Sequence, residues 1–202
     1  MTAAGPAPGQ DSIEAAFAAV YDPAQAVRRV VAPGARPPAV GAAVTDVTAH
    51  RGEDHWHLVT FGLTDLVAKA PGTQAGRSGF GHELTLLIPA TDAPPPWAFD
   101  LLVGTARVCG AVGRPFHPGA RLAPGAPIDG GTSALCAVGI REDPLVAPLT
   151  LPFGEYRFLQ AVGVTDVEYR LMQRAGTLEV LAALAARDPL LRTDPRRASR
   201  PA

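Results

Sequence analysis

Two β-prone stretches close together in the chain limit the fold more than anything else in it. The first is His55-Trp56-His57-Leu58-Val59-Thr60-Phe61-Gly62-Leu63-Thr64-Asp65-Leu66, and the second is Ser78-Gly79-Phe80-Gly81-His82-Glu83-Leu84-Thr85-Leu86-Leu87-Ile88-Pro89. Trp56, Leu58 and Thr60 alternate with His57, Val59 and Phe61, which is the period of a strand rich in aromatic and β-branched residues. Gly62 ends that strand or bulges it. Gly79 and Gly81 flank Phe80, the pattern of a tight backbone approach or a bulge ahead of the second strand. A buried sheet follows from these stretches, and no chemistry does.

The flanking sequence supplies the other elements. Asp11-Ser12-Ile13-Glu14 reads as a capping box. It opens a helix to about Tyr21, with Ile13, Phe17 and Val20 on one face. Asp22-Pro23 can start a second short helix that ends by Pro33-Gly34, and Arg36-Pro37-Pro38 is a loop. Residues 43–49 read as a strand, turned by Arg51-Gly52-Glu53-Asp54 into the His55 strand as a hairpin. Residues 70–76 and 90–96 are Pro/Gly loops. A helix runs from Trp97 to about Val112, with Leu101, Val108 and Val112 near one stripe and Cys109 beside it. Residues 113–132 are loop-rich, with one short strand at Arg121-Leu122. Residues 134–140, 149–151 and 155–164 are strands. Thr165-Asp166-Val167-Glu168 is a capping box for a helix ending at Gly176. Thr177 caps a last helix carrying Leu178, Leu181 and Leu184. Helices and strands do not alternate strictly, so the expected class is α+β: a single mixed or antiparallel sheet flanked by helices.

Composition narrows the function. The chain has 202 residues, 47% of them apolar, enough for a core without cross-links. The formal net charge of −1 gives no global field toward nucleic acid or a membrane. Residues 1–10 have neither a basic start nor an apolar run, so no signal peptide is expected, and no apolar stretch is long enough for a membrane span. The expectation is a cytoplasmic protein with one domain over residues 11–197 and disordered ends at 1–10 and 198–202. Cys109 and Cys136 sit in apolar contexts and read as buried thiols. No cofactor is expected.

Candidate chemistry is thin. His55 and His57 lie two apart on a strand and so share a face. With His82 or Glu83 on the next strand they could hold a metal, which gives the enzymatic alternative, a metal-dependent hydrolase using His55, His57 and Glu83. No CxxC pair or HExxH accompanies them, so no metal is expected. Glu83 and Asp65 are the residues from which an acid/base pair could be drawn; the other reading gives both a structural role, satisfying backbone donors. Gly76-Arg77-Ser78-Gly79-Phe80-Gly81 lacks the lysine and following helix of a phosphate loop, and it departs from G-x-S-x-G at Phe80. Ser78 is read as a turn residue, and Ser133 has no nucleophile context. Arg192, Arg196, Arg197 and Arg200 alternate with Asp188 and Asp194 and read as a solvated tail, because no aromatic residues are interleaved.

The same stretches carry a resemblance. HWHLVTFGLTDL followed by SGFGHELTLLIP is similar to the hallmark of the Suppressor of fused domain family. The order continues with Pro95-Pro96-Trp97, Glu142-Asp143-Pro144, Thr150-Leu151-Pro152-Phe153-Gly154, residues 158–165 and Thr193-Asp194-Pro195-Arg196-Arg197. The resemblance implies that His55, Trp56, His57, Phe61, Gly62, Asp65, Gly79, Phe80, Gly81 and Glu83 form a structural motif. It also implies that the His55 and His82 strands are neighbours under the Trp97 helix, and that the chain binds protein rather than catalysing. Animal members restrain Gli transcription factors by capturing a short peptide strand between two lobes. This chain resembles the first lobe only. Val108 and Ala120 stand where those members use a tyrosine and an aspartate, so Gli-type binding is not implied. Bacterial single-lobe relatives are proposed to be immunity proteins that neutralise toxins, which makes a toxin domain the expected partner and a regulatory scaffold the alternative. Residues 114–132, with Phe116, His117, Arg121 and Leu122, are the expected binding surface, since long loops in compact domains are usually functional or disordered.

Overall fold

In a computed structural model, residues 7–32, 44–66, 76–122, 125–151 and 154–198 are described. The expected loop at residues 36–38, residues 70–75 of the expected loop at 70–76, Arg200 and most of both expected disordered ends lie outside them.

The chain forms α1 (Pro8–Ala18), a 3-10 turn (Pro23–Gln25), β1 (Val27–Val30), β2 (Asp46–Arg51), β3 (His55–Phe61), β4 (Gly76–Pro89), α2 (Pro96–Val112) and β5 (Arg121–Leu122). It continues through β6 (Leu135–Glu142), β7 (Leu149–Leu151), β8 (Gly154–Thr165), α3 (Asp166–Ala175) and α4 (Thr177–Ala185). The strands make one sheet in the order β1-β2-β3-β4-β8-β6-β5, with β7 paired to β8 beside that path. Every pairing is antiparallel except β4 with β8. The class is α+β.

The hairpin turns at residues 52–54, and β3 lies against β4 in the register His57 to Leu87. Side chains alternate across these strands. Trp56 and Leu58 join Leu84, Leu86 and Ile88 under α2, whereas Val59 and Phe61 join Phe158 and Tyr156 under α1. On the α1 side, α3 and α4 cover the other end of the sheet, over Ala137, Val162 and Val164. Thr165 accepts from the Glu168 amide while the Glu168 carboxylate accepts from the Thr165 amide, so the capping box opens α3.

Several expectations need correction. α1 starts at Pro8 and has no side-chain cap, so Asp11 and Glu14 do not form a capping box; proline at the first turn suits the start instead. Ile13 and Phe17 are buried, but Val20 is exposed. The second helix shrinks to one 3-10 turn capped by Asp22, and the chain then enters β1, whose pairing with β2 outweighs the weak local helical signal. Gly176, not Thr177, is the N-cap of α4, and Leu178 points outward while Val180, Leu181 and Leu184 are buried. The buried face of α2 is Phe99, Leu102, Val103, Ala106 and Cys109, and Leu101, Val108 and Val112 lie off it. Cys136 is only half-buried.

The C-terminal segment is also not a solvated tail. Thr193 is fully buried, donates its amide to Leu87 O and accepts from the Gly163 amide at 2.9 Å. A Cβ on Gly163 would lie 2.6 Å from the Thr193 methyl, so glycine is what admits the segment. Arg197 binds Gly163 O and the carboxylate of buried Glu168. Arg196 alone among the described tail arginines has the solvated character expected.

Candidate functional site

Three groups of residues compete for a functional reading, and two of them are closed. The first is the turn after β3. Gly62 has φ 115° and Gly79 φ 55°, the left-handed region that favours glycine. A Cβ on Gly79 would meet Leu63 O at 2.4 Å, so the two chains touch there. The Glu83 carboxylate accepts four hydrogen bonds, from the Thr60 hydroxyl (2.6 Å), the Gly62 amide (3.1 Å), the Thr64 amide (2.8 Å) and the Thr64 hydroxyl (2.7 Å). It is fully buried, and burial pushes its pKa up to about 7 despite those donors. Asp65 accepts from the Gly79 amide, and Ser78 Oγ accepts from the Asp65 amide. These side chains hold backbone.

The second group lies where α1 meets the sheet. The Tyr21 hydroxyl sits 2.9 Å from both His55 Nε2 and His57 Nδ1. His55 Nδ1 is 2.9 Å from Asp54, and His57 Nε2 is 2.9 Å from Asp143. Asp143 also accepts from the Thr85 hydroxyl and the amides of Leu145 and Val146. Burial would raise its pKa, but His57 and these donors outweigh burial and hold it at about 2. Tyr21 and Asp143 were missed in the sequence; an apolar-face tyrosine and an Asp-Pro turn gave no sign that they would meet.

The hydrolase grouping of His55, His57 and Glu83 is not assembled. His55 pairs with Pro89 at the far end of β4, so about 20 Å of strand separates it from Glu83. His82 faces the other side, 3.8 Å from Cys109 Sγ. Among the described residues no three His, Cys, Asp or Glu side chains are placed to hold a metal ion.

The third group is open. α2 carries more apolar residues than one face can bury, and its second stripe, Trp97, Leu101 and Val108, is only half-buried. With Leu122, Ile128 and Val138 this stripe lines a groove of about 540 Å³. Its wall is largely apolar, and Gly104 in it has nothing within 4 Å of where a Cβ would be. A second cleft of about 680 Å³ is lined by Phe80, His82, Phe116, His117, Leu149 and Arg157. It borders the stretch where β4 and β8 slip register between Arg77 and His82. Phe116 and His117 thus fall in one cavity and Leu122 in the other. Arg121 is exposed on β5, the last strand of the sheet. Phe116 is half-buried, its ring 6.1 Å from that of His82.

Comparison with known proteins fits this geometry. Residues 39–198 match the family model for Suppressor of fused protein. The chain belongs to the Suppressor of fused family. It is 37% identical to the human Suppressor of fused homolog over 156 residues, and equally to the mouse homolog. That match covers 71% of this chain but 32% of each relative, so the chain spans about a third of their length. Among solved structures, the Sufu–Fu complex is similar at a TM-score of 0.83 and 24% identity, over 96% of this chain and 93% of that one. Drosophila Suppressor of Fused gives 0.81 and 24%, over 96% and 51%. A SUFU homolog from Neisseria gonorrhoeae gives 0.60 and 18%, over 95% and 96%. At these identities the structures establish the shared fold. Among the described residues no helix is long and apolar enough to cross a membrane.

Proposed function

We propose that this chain is a non-enzymatic protein-binding module, acting in the cytoplasm as an immunity or inhibitor protein that neutralises a toxin domain. The observation that carries the binding reading is the second apolar stripe of α2. Trp97, Leu101 and Val108 are only half-buried at the margin of the core, and they line a groove beside the terminal strand of the sheet. An apolar surface with a polar rim next to a strand edge suits an extended segment of another protein. The Sufu–Fu complex, whose fold this chain shares, supports the same class of function. The titratable residues nearest to a catalytic grouping are buried and occupied with backbone or with one another.

Gly104→Arg tests the groove directly. With open space at that position the fold should keep or slightly raise its melting temperature, since replacing glycine in a helix gains about 0.5–1 kcal/mol. Capture from the native host followed by mass spectrometry should identify a partner with the wild type and lose it with Gly104→Arg. Co-expression with that partner should relieve growth inhibition if the partner is a toxin. A partner retained by Gly104→Arg and by Phe116→Ser with Arg121→Glu would place the working surface elsewhere.

A further inference from the structure

The contacts of Tyr21 contain a proton that the neutral side chains do not supply. Four hydrogen-bond distances of 2.9 Å run in line, Asp54 to His55, His55 to Tyr21, Tyr21 to His57 and His57 to Asp143. Both ends are carboxylates. The His55 contact holds Asp54 below its ordinary pKa, and His57 with the Asp143 donors keeps Asp143 at about 2. A carboxylate only accepts, so His55 Nδ1 and His57 Nε2 each carry a hydrogen. In neutral rings the other two nitrogens, His55 Nε2 and His57 Nδ1, are then bare lone pairs. Both face the Tyr21 oxygen, which has one hydrogen to give. Burial pushes the Tyr21 hydroxyl above its ordinary range, so it is a phenol and not an acceptor-only phenolate. One of the two contacts would be lone pair against lone pair unless a ring holds a second proton.

We infer that His57 is an imidazolium in the folded protein and that Tyr21, relayed through His55, makes the docking of α1 depend on that one proton. His57 is the ring that buried Asp143 faces; both side chains are fully shielded from solvent, and the charge compensates the carboxylate. The bonds then run one way. His57 Nδ1–H donates to Tyr21 O, Tyr21 O–H to His55 Nε2, and His55 Nδ1–H to Asp54. Arg192 binds the second Asp54 oxygen and is itself paired with Asp188, so the relay ends on the C-terminal segment. It thereby joins the turn after α1, the β2–β3 hairpin, the β6–β7 loop and the segment after α4. Loss of the proton breaks one Tyr21 contact and loosens α1 from Phe61, Val146, Tyr156 and Phe158, the apolar face it covers.

The remaining titratable neighbour sets the acid side. His50 pairs across the hairpin with His57 and stacks on Phe17 at 4.7 Å. Among the described residues neither of its ring nitrogens has a hydrogen-bond partner, and burial first, then the charge of His57, holds its pKa down to about 4. His50 therefore takes up a proton only in a distinctly acidic medium, and that proton opposes His57.

Nitrogen-15 NMR of the histidine rings reads the protonation state directly. The expected result near neutral pH is two protonated nitrogens on His57 and one, Nδ1, on His55. Hydrogen-exchange protection of the α1 amides should fall together with the loss of the His57 proton as pH rises. In Tyr21→Phe that pH dependence should flatten. A His57 ring with a single proton while α1 stays fully protected would overturn the inference, and so would a Tyr21→Phe variant that keeps the wild-type dependence. If Tyr21→Phe does not fold, the ring spectra of the wild type still decide.

Discussion

The two sides of the sheet teach opposite lessons about buried and spare polarity. Between α1 and the sheet, polar side chains reach across long sequence distances and close on one another, as Tyr21, His57 and Asp143 do. On the α2 side the sheet is covered mainly by apolar contacts, and α2 keeps a half-buried apolar stripe that lines an open groove. The closed side is where a change of one atom strands a hydrogen bond. On the open side Gly104 has free space beside it, so a change there is expected to spare the fold.

The largest expected effect tests how closed the core is. Trp56 is buried, donates its indole N–H to Thr91 O at 3.0 Å and lies under the Arg51 guanidinium. Trp56→Ala should cost about 3–5 kcal/mol in denaturant unfolding. A loss below about 1 kcal/mol would show a ring that contributes little, and the contrast between the sides would fail.

Glu83 gives a second effect with a definite sign. Its folded pKa, about 7, lies above the unfolded value of 4.5, so the folded state holds the proton over that window. Its contribution is complete below the unfolded value and is lost as pH rises through the folded one, by about 3 kcal/mol in all. Glu83→Gln should remove that slope from the stability–pH curve. Asp143 acts in the opposite direction, and its contribution should vanish as pH falls from about 4 through about 2. An unchanged slope in Glu83→Gln would mean that the carboxylate is not as desolvated as the geometry requires.

A smaller effect sharpens the role of the C-terminal segment. Gly163→Ala places a methyl 2.6 Å from Thr193 and 3.0 Å from Ile128. The expected cost is about 1–3 kcal/mol from overpacking, read as a shift in the unfolding midpoint. Smallest of all, Arg121→Glu on exposed β5 should leave stability within about 0.5 kcal/mol while weakening partner binding, measured by calorimetry once the partner is in hand. A stability loss as large as that of Trp56→Ala would show that β5 belongs to the closed side.

What the sequence determined alone was local. Alternation and glycine placement in residues 55–66 and 78–89 were enough for two strands with a distortion at Gly79–Gly81, because strand period and left-handed turns are properties of a few consecutive residues. The Thr165–Glu168 box was legible for the same reason. The order of motifs added the family, and with it the sheet. Tertiary structure decided the rest. The parallel pairing of β4 with β8, the meeting of Tyr21 with His57 and Asp143, and the insertion of Thr193 beside Gly163 join residues that no window contains. α2 shows the limit most plainly. With apolar residues on more than one face, its period did not say which stripe would be buried, and the Leu101–Val108–Val112 stripe singled out in the sequence lies off the buried face. Only docking on the sheet chose between the faces, because burial is a property of the neighbours an element finds and not of the element itself.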